Sequence, residues 1–134
     1  MARKLVVNVD GGARGNPGPA AIAAVASTAE GKTVAERGEG IGEATNNVAE
    51  YRAVLLGIEL GRELGASELE LIGDSELIVR QLRGEYKVKQ EHLRPLHASA
   101  LKGLMDFDDW SIRHVRREQN AEADRLVNEA LDGA

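Results

Sequence analysis

The chain has 134 residues, a mass of 14.4 kDa and a hydrophobic fraction of 43%, which fits one domain with its own core. It contains no cysteine, and that excludes disulfides, thiolate metal sites and cysteine nucleophiles. A net charge of −5 argues against a protein that holds nucleic acid by bulk attraction alone.

The chain opens Met1-Ala2-Arg3-Lys4-Leu5-Val6-Val7 and goes straight into a strand. A signal peptide would place a longer apolar stretch and a small-residue cleavage site after the charges. No apolar run approaches the ~20 residues of a membrane span. The expectation is a cytoplasmic protein without a membrane partner.

Residues 5–9 are an apolar, β-branched run that stops at Asp10, which predicts a buried strand with a carboxylate at its C-terminal end. Residues 11–19, Gly-Gly-Ala-Arg-Gly-Asn-Pro-Gly-Pro, read as a loop. Residues 20–27 and 32–37 predict two strands, after which glycines at 38, 40 and 42 lead out, so the first 42 residues form an antiparallel meander. Residues 45–64 predict a long helix capped by Thr45 or Asn46 and closed by Gly65. Residues 68–72 predict a strand that runs through Gly73 to Asp74, a second carboxylate at a strand end. Two helices follow over 75–83 and 90–105, with Pro95 starting the second late or kinking it. A strand over 110–115 and a helix over 120–131 complete the chain.

The order β-β-β-α-β-α-α-β-α predicts an α/β fold, a five-stranded mixed sheet with helices on both faces. Right-handed crossovers place the first strand beside the later parallel strands. Asp10 and Asp74 are then neighbours at the C-terminal sheet edge, where α/β sites sit.

Charge is unevenly distributed. Residues 1–79 carry 7 basic and 12 acidic residues, 80–117 carry 9 and 5, and 118–134 carry 1 and 5. The net-positive stretch reads as a solvated face, or as a polyanion contact where other motifs support one.

Rival motifs fail. Gly12, Gly15 and Gly18 lack the dinucleotide-binding spacing, and no Gly-Lys-Ser/Thr closes a phosphate loop. His92, His97 and His114 lack the spacing of a zinc protease helix. Ser75 lies in no nucleophile elbow. What remains is acids in unusual places. Asp10 and Asp74 end apolar strands, Glu50 lies between Ala49 and Tyr51 in a core-facing helix, and Asp124 follows Ala123. Any one acid reads as a surface charge or a loop cap. Four on elements that converge at one sheet edge repel each other unless a cation joins them. Oxygen ligands without Cys or His favour Mg²⁺ or Mn²⁺, and a carboxylate site with two ions suits in-line attack on a phosphodiester.

Four segments, in order, resemble the ribonuclease H family, type 1. They are Asp10-Gly11-Gly12-Ala13-Arg14-Gly15-Asn16-Pro17-Gly18, Thr45-Asn46-Asn47-Val48-Ala49-Glu50, Gly73-Asp74-Ser75 and Asn120-Ala121-Glu122-Ala123-Asp124. The resemblance implies a ribonuclease H-like fold over residues 1–134 and hydrolysis of the RNA strand of RNA/DNA hybrids, leaving 5′-phosphate and 3′-hydroxyl ends. It implies that Asp10, Glu50, Asp74 and Asp124 bind two Mg²⁺ ions, and that Asn16, Asn46 and Asn47 contact the minor groove. Thr45 matches a position near a DNA-strand phosphate, although its plain reading is a helix cap. His114, ten residues before Asp124, matches a histidine that assists proton transfer or product release.

Three departures from the family pattern shift these expectations. Val115-Arg116-Arg117-Glu118-Gln119 stands where many bacterial members have a glycine-rich loop, so Arg116 or Arg117 shares the role of His114. A basic handle inserted in many members is missing, and residues 84–89 join the two helices instead. Hybrid affinity is then expected from Lys87, Lys89, Arg80, Arg83 and Arg94, and binding is expected to be weaker and salt-sensitive. Glu43 stands where relatives have a basic phosphate contact, so the expectation is either weaker engagement of the DNA strand or a contact supplied by Arg14. Two alternatives carry less support. A 3′–5′ exonuclease of the superfamily would open with Asp-x-Glu, and Asp10 is followed by Gly11-Gly12. A non-catalytic hybrid-binding module has no use for four repelling acids. A monomer is the expected state.

Overall fold

A computed structural model describes residues 3–133, and Met1, Ala2 and Ala134 lie outside them, including the start of the N-terminal segment read above. The strands are β1 (Lys4–Ala13), β2 (Gly18–Thr28), β3 (Thr33–Ala44), β4 (Glu68–Gly73) and β5 (Asp109–His114). The helices are α1 (Asn46–Glu63), α2 (Glu76–Leu82), α3 (Arg94–Leu104) and α4 (Ala121–Asp132), with short 3-10 turns at Glu91–Leu93 and Arg117–Asn120. The sheet order is β3-β2-β1-β4-β5. β1 is antiparallel to β2 and parallel to β4, and β4 is parallel to β5. This is the mixed five-stranded sheet expected from the element order.

Helices cover both faces because β2 is apolar on both. Ala20, Ile22, Ala24 and Ala26 join the large core under α1, whereas Ala21, Ala23 and Val25 pack on Ala123 and Val127 of α4. The side-chain period of two sends alternate residues to opposite faces. α1 is the central helix. It buries Tyr51, Val54, Leu56, Ile58 and Leu60, and burial of such side chains contributes about 1.5–3 kcal/mol each. Thr45 caps it, Oγ1 accepting from the Val48 N–H at 3.2 Å. Gly65, with φ of +77°, takes the left-handed position beyond its end. Among the described residues no helix is long and apolar enough to cross a membrane.

Three boundaries differ from the sequence reading. β1 does not stop at Asp10, because Gly11, Gly12 and Ala13 pair with Ile22, Ala21 and Ala20 of β2. β3 continues through its glycines to Ala44, paired with β2 and irregular where Ala20 gives way to Ala21. In both cases ladder hydrogen bonds to β2 outweigh the weak strand preference of glycine. Residues 90–105 are a 3-10 turn followed by α3, with Pro95 in the first turn of α3, where its missing N–H costs nothing.

Candidate active site

The overshoot of β1 creates the site. Its parallel pairing with β4 ends at Asn8 opposite Ile72, so Asp10 projects beyond that pair while still held by Ala23 of β2. Asp74 directly follows the last residue of β4. Glu50 comes from the second turn of α1. The three carboxylates each place an oxygen within 4.8 Å of the others. Asp124, in the first turn of α4, stands outside that tight group and lines the same cleft, which has a volume of about 460 Å³.

The backbone sets these positions closely. A Cβ on Gly11 would lie 2.3 Å from the Ala49 carbonyl oxygen, so only glycine lets β1 meet the first turns of α1. At that contact the Gly11 N–H donates to Glu50 Oε1 at 2.8 Å. Asp74 Oδ2 accepts from Asn120 Nδ2 at 3.5 Å. The Arg117 guanidinium lies 3.3 Å from Asp124 Oδ1.

Electrostatics follow from this crowding. Burial pushes the Asp10 carboxyl up to about 7, reinforced by the charges of Asp74 and Asp124. Glu50 is raised well above the usual carboxylate range, first by burial and then by Asp10 and Asp74, against the Gly11 N–H. The cations lining the cleft, Arg14 and Arg117, pair with Asp132 at 2.7 Å and with Asp124. Asp10, Glu50 and Asp74 therefore have no cationic side chain of their own among the described residues. An oxygen-only donor set this close, short of positive charge, fits a hard divalent cation such as Mg²⁺ or Mn²⁺.

The other predicted residues divide into two groups. Arg14, Asn46 and Asn47 line the cleft. Asn46 Oδ1 accepts from the Ala13 N–H at 2.9 Å, and Asn16 Oδ1 accepts from the Asn46 N–H at 3.0 Å. The two asparagines thus lace the 14–17 loop to the start of α1. Thr45 serves as the helix cap. Outside the cleft lining, His114 is exposed at the end of β5, paired in register with Gly73. Lys87 and Lys89 line a separate cavity of about 520 Å³, together with Leu77, Gln81 and Tyr86. Arg80 and Arg83 are paired with Glu85, and Arg94 Nε donates to the Val88 carbonyl.

Sequence reasoning gave no role to Asn120, which is 1% exposed. An asparagine before a helix reads as a cap, yet its side chain makes no capping bond and turns inward. Its place one helical turn before Asp124 was the available clue.

A family model described as reverse transcriptase-like matches residues 8–130. The chain is 48% identical over 125 residues to ribonuclease HI of Halobacterium salinarum, an alignment covering 93% of this chain and 63% of that protein. It thus spans less than two thirds of that relative's length. The crystal structure of RNase H1 from Halobacterium salinarum superposes with a TM-score of 0.96 at 46% identity, covering 98% of this chain and 99% of that one. A crystal structure of LC11-RNase H1 in complex with an RNA/DNA hybrid gives a TM-score of 0.92 at 44% identity, covering 96% and 97%. With these similarities spanning nearly the whole length, and four acids converging where the sheet changes from antiparallel to parallel, the chain belongs to the type 1 ribonuclease H family.

Proposed function

We propose that residues 1–134 are a single ribonuclease H domain that hydrolyses the RNA strand of RNA/DNA hybrids internally, leaving 5′-phosphate and 3′-hydroxyl ends. The observation that carries this reading is the approach of Asp10, Glu50 and Asp74 to within 4.8 Å, from three elements, with no cationic side chain among them. Such an arrangement is costly for folding and is useful once positive charge arrives.

Asp10 and Asp74 would share Mg²⁺, or Mn²⁺, with Glu50 on the leaving-group side and Asp124 on the water side. Two bound ions supply activation of a water and neutralisation of the leaving 3′ oxygen. The rest of the work belongs to the protein. The Gly11 N–H fixes one oxygen of Glu50 and leaves the other for the centre and the nearby 2′-hydroxyl. The amide oxygens of Asn16 and Asn46 are occupied by backbone N–H groups, which turns their Nδ2 donors to the minor groove, where 2′-hydroxyls are displayed. Asn47 lies beside them. Arg14 offers charge to a phosphate once it leaves Asp132. His114, with Arg116 and Arg117 after it, is assigned to proton transfer or product release. Lys87 and Lys89 extend the contact along the hybrid.

The test is an end-labelled RNA/DNA hybrid with Mg²⁺ or Mn²⁺, run beside single-stranded RNA, double-stranded RNA and double-stranded DNA, with Asp10→Asn as the control. Internal cuts confined to the hybrid's RNA strand, lost in the variant, are expected. Binding without cleavage, or stepwise loss of nucleotides from a 3′ end, would overturn the proposal.

A further inference from the structure

Buried polar side chains are scarce in this protein. Among the described residues they are Asp10, Gln81 and Asn120. Gln81 is accounted for by the Tyr51 hydroxyl, which donates to its Oε1, and by its own Nε2, which donates to the Lys87 carbonyl at 3.5 Å. Asn120 has a different set of partners. Its Nδ2 donates to the Val9 carbonyl at 2.8 Å and to Asp74 Oδ2 at 3.5 Å, and its Oδ1 accepts from Asn8 Nδ2 at 3.0 Å. One amide thus uses both its protons and an oxygen lone pair, all on side chains or carbonyls of β1 and on the acid after β4.

The positions matter more than the number. The Val9 carbonyl belongs to the peptide that leads into Asp10. Asp74 accepts from the amide at its carboxylate, at the long end of hydrogen-bonding distance. Asn120 itself lies four residues, one helical turn, before Asp124. Three of the four acids are therefore within one covalent step or one hydrogen bond of this side chain, or one turn from it. An asparagine at a helix start ordinarily caps the helix, and here no capping bond is made. A buried amide that gives up its capping partner and meets all its hydrogen bonds elsewhere is held there by those partners.

We infer that Asn120 is a positioning residue, which fixes Asp74 and the Asp10 peptide in the arrangement that receives the divalent ion. The inference rests on the function proposed above, since it concerns the same centre. Outer partners of metal-ligating carboxylates commonly change affinity or activity by about 10–100-fold when removed. An amide is suited to this task because it donates to a carboxylate without neutralising it. A cation in the same place would compete with the metal.

The experiment compares wild type with Asn120→Ala, using Mg²⁺ alone as the probe in calorimetry and the hybrid in steady-state kinetics. Folded Asn120→Ala is expected to bind Mg²⁺ about tenfold more weakly and to lose kcat by about 10–100-fold, with KM for the hybrid within about twofold because the groove contacts are untouched. Asn120→Gln, which keeps the donor on a longer arm, is expected to recover part of the Mg²⁺ affinity. A folded Asn120→Ala with wild-type Mg²⁺ affinity and kcat would overturn the inference. Should the variant fail to fold, Mg²⁺ titration of ¹⁵N-labelled wild type decides. The Asn120 side-chain NH₂ signals should shift as Asp74 is loaded, while those of the distant Gln90 stay in place, and an unmoved Asn120 pair would refute the assignment. Failure of the functional reading is separable, because it shows in wild type as absence of hybrid cleavage whatever the variants do.

Discussion

At the cleft, Asp10 is 6% exposed and its nearest charged neighbours carry its own sign. Along residues 80–117 the charges lie mostly on the surface and several are matched, Arg80 with Glu76 and Glu85, Arg83 with Glu85, Arg113 with Glu70. The same chemical groups therefore contribute in opposite ways. In the cleft, burial and repulsion raise carboxyl pKa values and store an unfavourable interaction that a cation relieves. On the surface, water screens each pair to roughly 0–1 kcal/mol. Function built from charge concentrates where the charge is uncomfortable, and a basic stretch seen in composition is a weaker guide than a few acids held close together.

The comparison is tested most severely at Asp10. Asp10→Asn should lower hybrid cleavage by about 10³-fold or more, the scale of several kcal/mol of lost metal-assisted stabilisation. It should also stabilise the metal-free protein at neutral pH, by on the order of 2 kcal/mol, because a buried repelling charge is removed. The sign follows from the raised pKa. The unfolded carboxyl ionises near 3.8 and the folded one near about 7, so the folded state holds the proton longer. Metal-free wild type should lose stability as pH climbs between these values and level off above the higher one. Asp10→Asn should flatten that slope, leaving the part due to Glu50. Denaturant titrations across pH 4–8, with chelator and then with Mg²⁺, measure both effects. A metal-free Asp10→Asn protein less stable than wild type at pH 8 would break the account of the cleft as a strained site.

Gly11 comes next. A methyl group there would meet the Ala49 carbonyl oxygen at 2.3 Å, backbone against backbone, with no flexible side chain to give way. Gly11→Ala should cost about 1–3 kcal/mol of stability, the range for overpacking, and should carry Glu50 away from the centre as α1 shifts. Urea midpoints and Mg²⁺ affinity should fall together, whereas a purely structural lesion elsewhere would move only the first.

These two positions also show what was legible in the sequence. Asp10 and Asp74 were readable because each ends a short apolar run, and sheet topology did the rest. The four acids, the element order and the two-faced sheet followed from patterns local to each segment. The extent of β1 and β3 did not, since Gly11, Gly12, Gly38, Gly40 and Gly42 all read as turn residues and pair only because β2 lies alongside. Asn120 was opaque for a similar reason. Its partners Asn8, Val9 and Asp74 are 112, 111 and 46 residues away in the chain, and no local pattern reports a contact at that separation. Only their charge singles out Lys87 and Lys89 in the sequence, and charge does not say which cavity a side chain borders.

Lys87 and Lys89 sharpen the surface side of the comparison. Neither forms an ion pair among the described residues, unlike Arg80, Arg83 and Arg113. If they meet phosphates, Lys87→Ala/Lys89→Ala should weaken hybrid binding several-fold and reduce the slope of log affinity against log salt by about two, near one per phosphate contact. kcat at saturating hybrid should be unchanged. Binding measured from 50 to 200 mM salt separates this from an unaltered slope, which would place the hybrid's path away from this cavity.

The smallest effect should come from Glu70, which is the surface counterpart of Asp10. Its side chain is 18% exposed, 2.8 Å from the Arg113 guanidinium and 3.3 Å from Lys4 Nζ. Arg113 first, and Lys4 with it, hold its carboxyl below the usual range, the reverse of the shift at Asp10. A depressed pKa means the unfolded chain takes up the proton first as pH falls. The stabilisation is therefore present above the ordinary value of 4.5 and disappears as pH drops through the lower folded value. Glu70→Gln should cost less than about 1 kcal/mol at pH 7, since both partners are largely solvated, and less again in high salt. The difference from wild type should close toward pH 3, whereas the gain from Asp10→Asn opens as pH rises. Opposite pH slopes from two carboxylates in one small fold would separate a charge that the structure favours from one that it tolerates for the sake of a metal.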